Sequence, residues 1–212
     1  IAKGGCPIYV FHSTKESVNF INALKYAGFK LSQTLIWAKD RFTLGRSDYQ
    51  WQFEPILYGW KVESGKPHYF IHDRTQSSLF QDNKDLTKLK KEELLKMLQD
   101  ILETTPSDVI HDNKSIRNKE HPTMKPITLI AKLITNSSRE REIVFDAFAG
   151  SGSTLVAAEQ LNRISYNIEL DEKYCDVIIK RFVKSFGSDG IVLVRNGKEI
   201  PLEETKLYQE IS

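Results

Sequence analysis

Asp146-Ala147-Phe148-Ala149-Gly150-Ser151-Gly152-Ser153-Thr154 joins the apolar run Ile143-Val144-Phe145 to an amphipathic stretch, Thr154 to Leu161. A glycine turn between a buried strand and a helix leaves few architectures open. Glycine lets the backbone turn sharply and lets a ligand approach it, and the unpaired amides at a helix start attract an anion. The pattern then repeats. Ile164 to Ile168 reads as a second strand, and Asp171 caps a helix that turns Tyr174, Val177, Ile178 and Phe182 inward. Pro126 opens an earlier helix carrying Ile127, Ile130, Ala131 and Ile134. Strand, helix, strand, helix predicts a parallel sheet with right-handed crossovers, and such sheets hold ligands at the carboxyl ends of their strands.

Upstream, Pro7-Ile8-Tyr9-Val10-Phe11 reads as a strand, and Ser13 with Glu16 as a capping box before a helix bearing Val18, Ile21 and Leu24 and closed by Gly28. Phe29 to Ala38 and Pro55 to Trp60 read as two further strands, an antiparallel pair, around a polar, aromatic loop from Lys39 to Phe53. From Val62 to about Lys119 the composition turns polar, with a charged helix from Leu86 to Leu102 as its main pattern. This is an insertion, and from sequence alone a solvated helical excursion with no special role is the favoured reading of it. Ile191 to Val194 and Glu199 to Leu202 flank Asn196-Gly197, a strong hairpin signal. The organisation expected is therefore 1–61, an insertion at 62–119, a ligand-binding half at 120–190, and a hairpin and tail at 191–212.

At 212 residues with a formal charge of +2, the chain is long enough for a substantial core and is not a disordered polyelectrolyte. Cys6 and Cys175 suit reduced core thiols, and the longest stretch free of charged residues, Ala147 to Ala158, is twelve residues, too short for a membrane helix. The five histidines fall in no metal-ligand spacing, so no metal is expected. The chain opens on Ile1, with no initiator Met and no signal-peptide pattern, which suggests that something is missing in front.

The ligand of the glycine turn is narrowed by its spacing. Leu155 stands where a dinucleotide fingerprint needs Gly or Ala, and no Gly-Lys-Ser/Thr is present for a triphosphate. Glu169 ends the next strand 17 residues beyond Gly152, placed for ribose hydroxyls. A ligand with a carboxylate, a ribose and an adenine would use the helix amides with Ser153 and Thr154, then Glu169, then the apolar wall near Phe148 and Ile168. S-adenosylmethionine has those parts. A glycine turn that merely allows tight packing is the competing reading.

His121-Pro122-Thr123-Met124-Lys125-Pro126, the Phe145 to Thr154 turn and Tyr166-Asn167-Ile168-Glu169-Leu170-Asp171 together resemble the cofactor half of the β-ordered DNA amino-methyltransferases, which methylate adenine N6 or cytosine N4. Gly4 to Ser13, Trp37-Ala38-Lys39 and Glu54-Pro55-Ile56-Leu57-Tyr58 resemble strands of the catalytic half. The resemblance implies an AdoMet-methyltransferase, Rossmann-like α/β fold: a mostly parallel sheet with an antiparallel strand pair and a helical insertion at the place of the variable target-recognition region. It implies that Thr123 and Lys125 lie near the methionine end of S-adenosylmethionine. Asp146, Phe148, Gly150, Ser151, Gly152, Ser153 and Thr154 would cradle the cofactor, and Glu169 would hold the ribose.

One departure is severe. The family's catalytic signature is Asp, Asn or Ser followed by Pro-Pro and an aromatic, and the seven prolines of this chain, Pro7, Pro55, Pro67, Pro106, Pro122, Pro126 and Pro201, include no adjacent pair. The motif is expected before Ile1, so the sheet is expected to have a central gap, filled by preceding residues or by another chain. The catalytic residues are therefore unknown. Trp37 is the candidate for the base pocket. Lys39, Arg41 and Arg46, interleaved with Phe42, Tyr49, Trp51 and Phe53, suit phosphate contact and base stacking, and Lys114, Arg117 and Lys119 add a second basic run. Trp37 and Phe53 equally suit a strand core.

The function expected is transfer of a methyl group from S-adenosylmethionine to an exocyclic base amine of double-stranded DNA, N6-adenine ahead of N4-cytosine, with base flipping and in a restriction-modification setting. The setting is the cytoplasm of a bacterium, or a phage-derived protein, with a homodimer or an N-terminal segment completing the fold. This chain alone would be inactive. The alternatives are a non-catalytic DNA-binding or assembly module that keeps the cofactor fold, and an RNA methyltransferase.

Overall fold

The computed structural model describes residues 2–71, 75–81 and 124–211, without the side chains of residues 40, 41, 43, 81, 210 and 211. It divides into two compact units, Ile1–His111 and Asp112–Ser212.

The first unit holds β1 (Pro7–Phe11), α1 (Ser17–Tyr26), β2 (Phe29–Thr43), β3 (Trp51–Lys61) and β4 (Leu79–Gln81). They form one sheet in the order β1-β3-β2-β4, antiparallel at β1–β3 and β2–β3 and parallel at β2–β4. A mostly parallel sheet with one antiparallel pair was expected. The pair is β2–β3, joined by residues 44–50 as a short turn requires of antiparallel neighbours, but β1 also runs antiparallel to β3, so the main sheet is mostly antiparallel. The expected loop from Lys39 to Phe53 is shortened to residues 44–50, because β2 runs on to Thr43, which faces Trp51 across the pair. Gln50 draws the turn tight, its Oε1 accepting from the Gly45 amide at 2.6 Å and its Nε2 donating to the Ser47 carbonyl at 2.7 Å.

Ile56 and Leu57 point to opposite faces of β3, and both are fully buried, so the sheet is covered on both sides there. Leu24, Leu35, Trp37 and Tyr58 complete this core. The helical stripe differs from expectation: Leu24 is buried, Ile21 half-buried and Val18 exposed. The capping box does not form either. Thr14–Glu16 is a 3₁₀ turn, the Ser13 side chain makes no cap, and the Glu16 carboxylate accepts from Asn19 instead. After β3 the chain folds back, with His68 stacked on Trp60 at 3.7 Å and the Gly4 amide donating to Glu63 at 3.0 Å. The expected helix from Leu86 to Leu102 lies outside the described residues.

The second unit holds α2 (Ile127–Ser137), β5 (Ile143–Asp146), α3 (Ser153–Gln160), β6 (Ile164–Asn167), α4 (Glu172–Phe186), β7 (Val192–Arg195), β8 (Lys198–Pro201) and α5 (Lys206–Ile211). β5 and β6 pair in parallel, Asp146 opposite Asn167, because α3 forms the crossover between them. Leu129, Ile130, Leu133 and Ile134 of α2 pack with Val156, Ala157 and Ala158 of α3. β5 was expected to be fully buried, yet Ile143 and Phe145, paired with Ile164 and Tyr166, are exposed and only alternate residues face inward. Two strands with a helical layer on one face bury side chains at every second position. Asn196 and Gly197 take φ of 53° and 73°, the conformation of a two-residue hairpin turn between β7 and β8.

Candidate functional site

Asp146 ends β5 with its carboxylate turned onto the glycine turn. Its Oδ1 accepts from the Phe148 amide at 2.9 Å and its Oδ2 from the Thr154 hydroxyl at 2.6 Å. One carboxylate thereby ties the strand to the start of α3. Glu169, just past β6, accepts at Oε2 from the Gly150 amide at 2.7 Å and at Oε1 from the Leu170 and Asp171 amides at 2.9 and 3.0 Å. Backbone bonds from Ala149 to Ile168 at 3.0 Å and from Ile168 to Asp146 at 2.8 Å complete the seam. Both acidic residues are held by donors of their own fold.

The two glycines of the turn have different duties. At Gly152, with φ of 77°, a Cβ would stand 3.1 Å from Ile178 of α4, so close packing as well as conformation requires glycine. At Gly150, with φ of 54°, a Cβ would meet nothing nearer than the Phe148 carbonyl at 3.9 Å, so that side of the turn is open. α3 begins at Ser153 with no side-chain cap. An uncapped helix start beside an open glycine is an arrangement that accepts an anionic group.

The expected residues fall in several environments. Ser151 and Ser153 are buried and Phe148 is exposed. The Ser153 hydroxyl donates to the Lys125 carbonyl at 2.8 Å, which brings the segment before α2 onto the turn. Ser153 and Thr154 thus spend their hydroxyls within the fold, and their backbone amides are what the helix start offers. In the first unit Trp37 is buried, with the Lys39 ammonium 5.2 Å from its ring centroid, and Lys39 pairs with Glu54 at 2.7 Å. Arg46 lies on the exposed β2–β3 turn. Thr123, Lys114, Arg117 and Lys119 lie outside the described residues, as does the Arg41 side chain.

Two neighbours of the turn escaped the sequence reading. Arg181 donates through Nη1 to the Ser151 carbonyl at 3.1 Å, the Ser151 hydroxyl at 3.3 Å and the Ser153 hydroxyl at 3.2 Å. The signal was there: Arg181 stands three and four residues after Ile178 and Val177, on the stripe α4 turns inward. Cys175 lies beside Glu169, and burial, then the Glu169 charge, push its thiol above the ordinary range.

A family model described as DNA methylase matches residues 2–181. The type II methyltransferase M2.LlaDCHI of Lactococcus lactis subsp. cremoris is 26% identical over 87% of this chain and 62% of its own length. The type II methyltransferase M2.DpnII of Streptococcus pneumoniae is 26% identical over 75% of this chain and 53% of its own. This chain therefore spans about half to three fifths of the length of these relatives. Among solved structures, M1.HpyAVI in complex with SAM aligns over 85% of this chain and 76% of that one, at a TM-score of 0.61 and 22% identity. The cytosine-N4-specific PvuII DNA methyltransferase aligns over 94% of this chain and 63% of its own, at a TM-score of 0.57 and 18% identity. No helix among the described residues is long and apolar enough to cross a membrane. With 2–181 covered by one model and the strand-turn-helix seam in the second unit, the chain belongs to the N6/N4 DNA methylase family.

Proposed function

We propose that this chain carries the S-adenosylmethionine site of a site-specific DNA amino-methyltransferase acting on double-stranded DNA, with adenine N6 ahead of cytosine N4 as the acceptor. The uncapped start of α3 beside the open face of Gly150 carries the reading, because it suits the carboxylate of the cofactor. Asp146 holds the turn in shape through Phe148 and Thr154, and Glu169, fastened to the Gly150 amide just past β6, is assigned to the ribose hydroxyls. Thr123 and Lys125 are assigned to the methionine end. When bound, the cofactor supplies an electrophilic methyl on a sulfonium sulfur to an amine nitrogen set in line with it.

On the DNA side, the β2–β3 arm supplies Arg46 and Lys39 for phosphate contact, and residues 62–119 are assigned to target recognition. An amine within a duplex is stacked and paired, so the base must be extruded before it can react. The lack of any adjacent proline pair favours a second reading, a cofactor- and DNA-binding module that does not methylate by itself.

Isothermal titration of the 212-residue chain with S-adenosylhomocysteine tests the cofactor reading: binding is expected, with Asp146→Ala weakening it about tenfold. Absence of binding to the unaltered chain overturns it. Incorporation of tritiated methyl into duplex DNA by the chain alone would exclude the non-catalytic module, and incorporation into RNA alone would move the assignment to that polymer.

A further inference from the structure

Ser153 opens α3, and its buried hydroxyl does two things at once: it donates to the Lys125 carbonyl at 2.8 Å and accepts from Arg181 Nη1 at 3.2 Å. The same Nη1 reaches the Ser151 carbonyl and hydroxyl at 3.1 and 3.3 Å. One guanidinium nitrogen thus spans three acceptors on the two residues that bracket Gly152. Through Ser153 it extends to a fourth group, a carbonyl of the segment before α2. Bonds chained in this way polarise and strengthen one another. A planar, permanently charged donor suits such a node better than any other side chain.

The cation also stands where a helix start is already electropositive. Placing Arg181 there costs stability unless an anion or several acceptors balance it, and the three acceptors on Ser151 and Ser153 contribute to that balance. Glu169 performs the complementary task at the far side of the turn, holding Gly150 through its amide. The turn is therefore fastened by Asp146 at Phe148 and Thr154, by Glu169 at Gly150 and by Arg181 at Ser151 and Ser153. The Arg181 bond to Ser153 leads on to Lys125.

We infer that Arg181 is a positioning residue for the amino-acid end of the cofactor: through Ser153 it sets the distance between the Lys125 segment and the start of α3, and so the width of the slot for the methionine moiety. The inference rests on the cofactor reading above. It makes Arg181 selective, acting on the amino-acid part of the ligand and not on the adenosine part, which Glu169 serves.

The test compares two ligands, S-adenosylhomocysteine and 5′-methylthioadenosine, which lacks the amino-acid end, by isothermal titration on the full chain. Arg181→Met is expected to weaken S-adenosylhomocysteine about tenfold, the factor one charge-assisted hydrogen bond carries, and to leave methylthioadenosine within about twofold. Arg181→Lys should recover part of the loss, because an ammonium retains the charge but cannot span the same acceptors. Ser153→Ala breaks the link to Lys125 while leaving the Ser151 bonds, and is expected to reproduce the selective loss even where Arg181→Met unfolds. Equal weakening of both ligands, or no weakening of either, by the folded variants overturns the inference while leaving the cofactor site in place. Failure of the unaltered chain to bind S-adenosylhomocysteine overturns both readings together.

Discussion

Asp146 and Glu169 are each acceptor-only groups placed at the end of a parallel strand, and each has recruited amides of its own neighbourhood. The motif was legible because Asp and Glu at those positions have few other uses beside a glycine turn. What they bind within the fold was not, since lone pairs directed at Phe148, Gly150 and Leu170 depend on how the turn closes. Cys175 reports on the same carboxylate. Burial and the Glu169 charge both disfavour the thiolate, so at a given pH more Cys175 remains protonated than in an unhindered thiol. Labelling by iodoacetamide, followed by mass spectrometry across a pH series, should therefore show a midpoint above the ordinary thiol value. Glu169→Gln should move that midpoint down, and a midpoint unchanged by it would remove the charge from the explanation.

Helices and strands were read with uneven success, and the differences have local causes. The glycine turn, the two parallel strands and the α4 cap at Asp171 follow from nearest-neighbour chemistry, with the Asp171 carboxylate accepting from the Lys173 amide at 3.0 Å. The β2–β3 arm was misread because Lys39, Asp40 and Arg41 look like loop residues, whereas cross-strand pairing decides whether they extend. At the junction of turn and helix, Gly152→Ala combines a left-handed conformation with a contact to Ile178, so a loss of about 2 kcal/mol is expected. Urea denaturation of the variant measures it. A loss below about 0.5 kcal/mol would mean that α4 yields freely to the added methyl.

For the whole molecule, a net charge of +2 gives little general attraction to a polyanion, so under the proposed function affinity for DNA would come from local cations. Lys39 has its charge matched by Glu54, whereas Arg46 stands on an exposed turn. Arg46→Ala is therefore expected to lower the salt dependence of duplex binding by about one unit of slope, and Lys39→Ala by less. Fluorescence anisotropy with a labelled duplex across a salt series measures both slopes, and equal effects would show that the Glu54 pair opens on binding. By itself the sequence determined the family and the strand-turn-helix unit, because both rest on spacing along the chain. Only the tertiary structure decided that the main sheet is mostly antiparallel, that the hydroxyls of Ser153 and Thr154 turn inward, and that Arg181 fastens the turn. The Ser153 and Arg181 bonds join residues 28 to 30 positions apart, and such pairings are chosen by packing and hydrogen-bond geometry that no local pattern encodes.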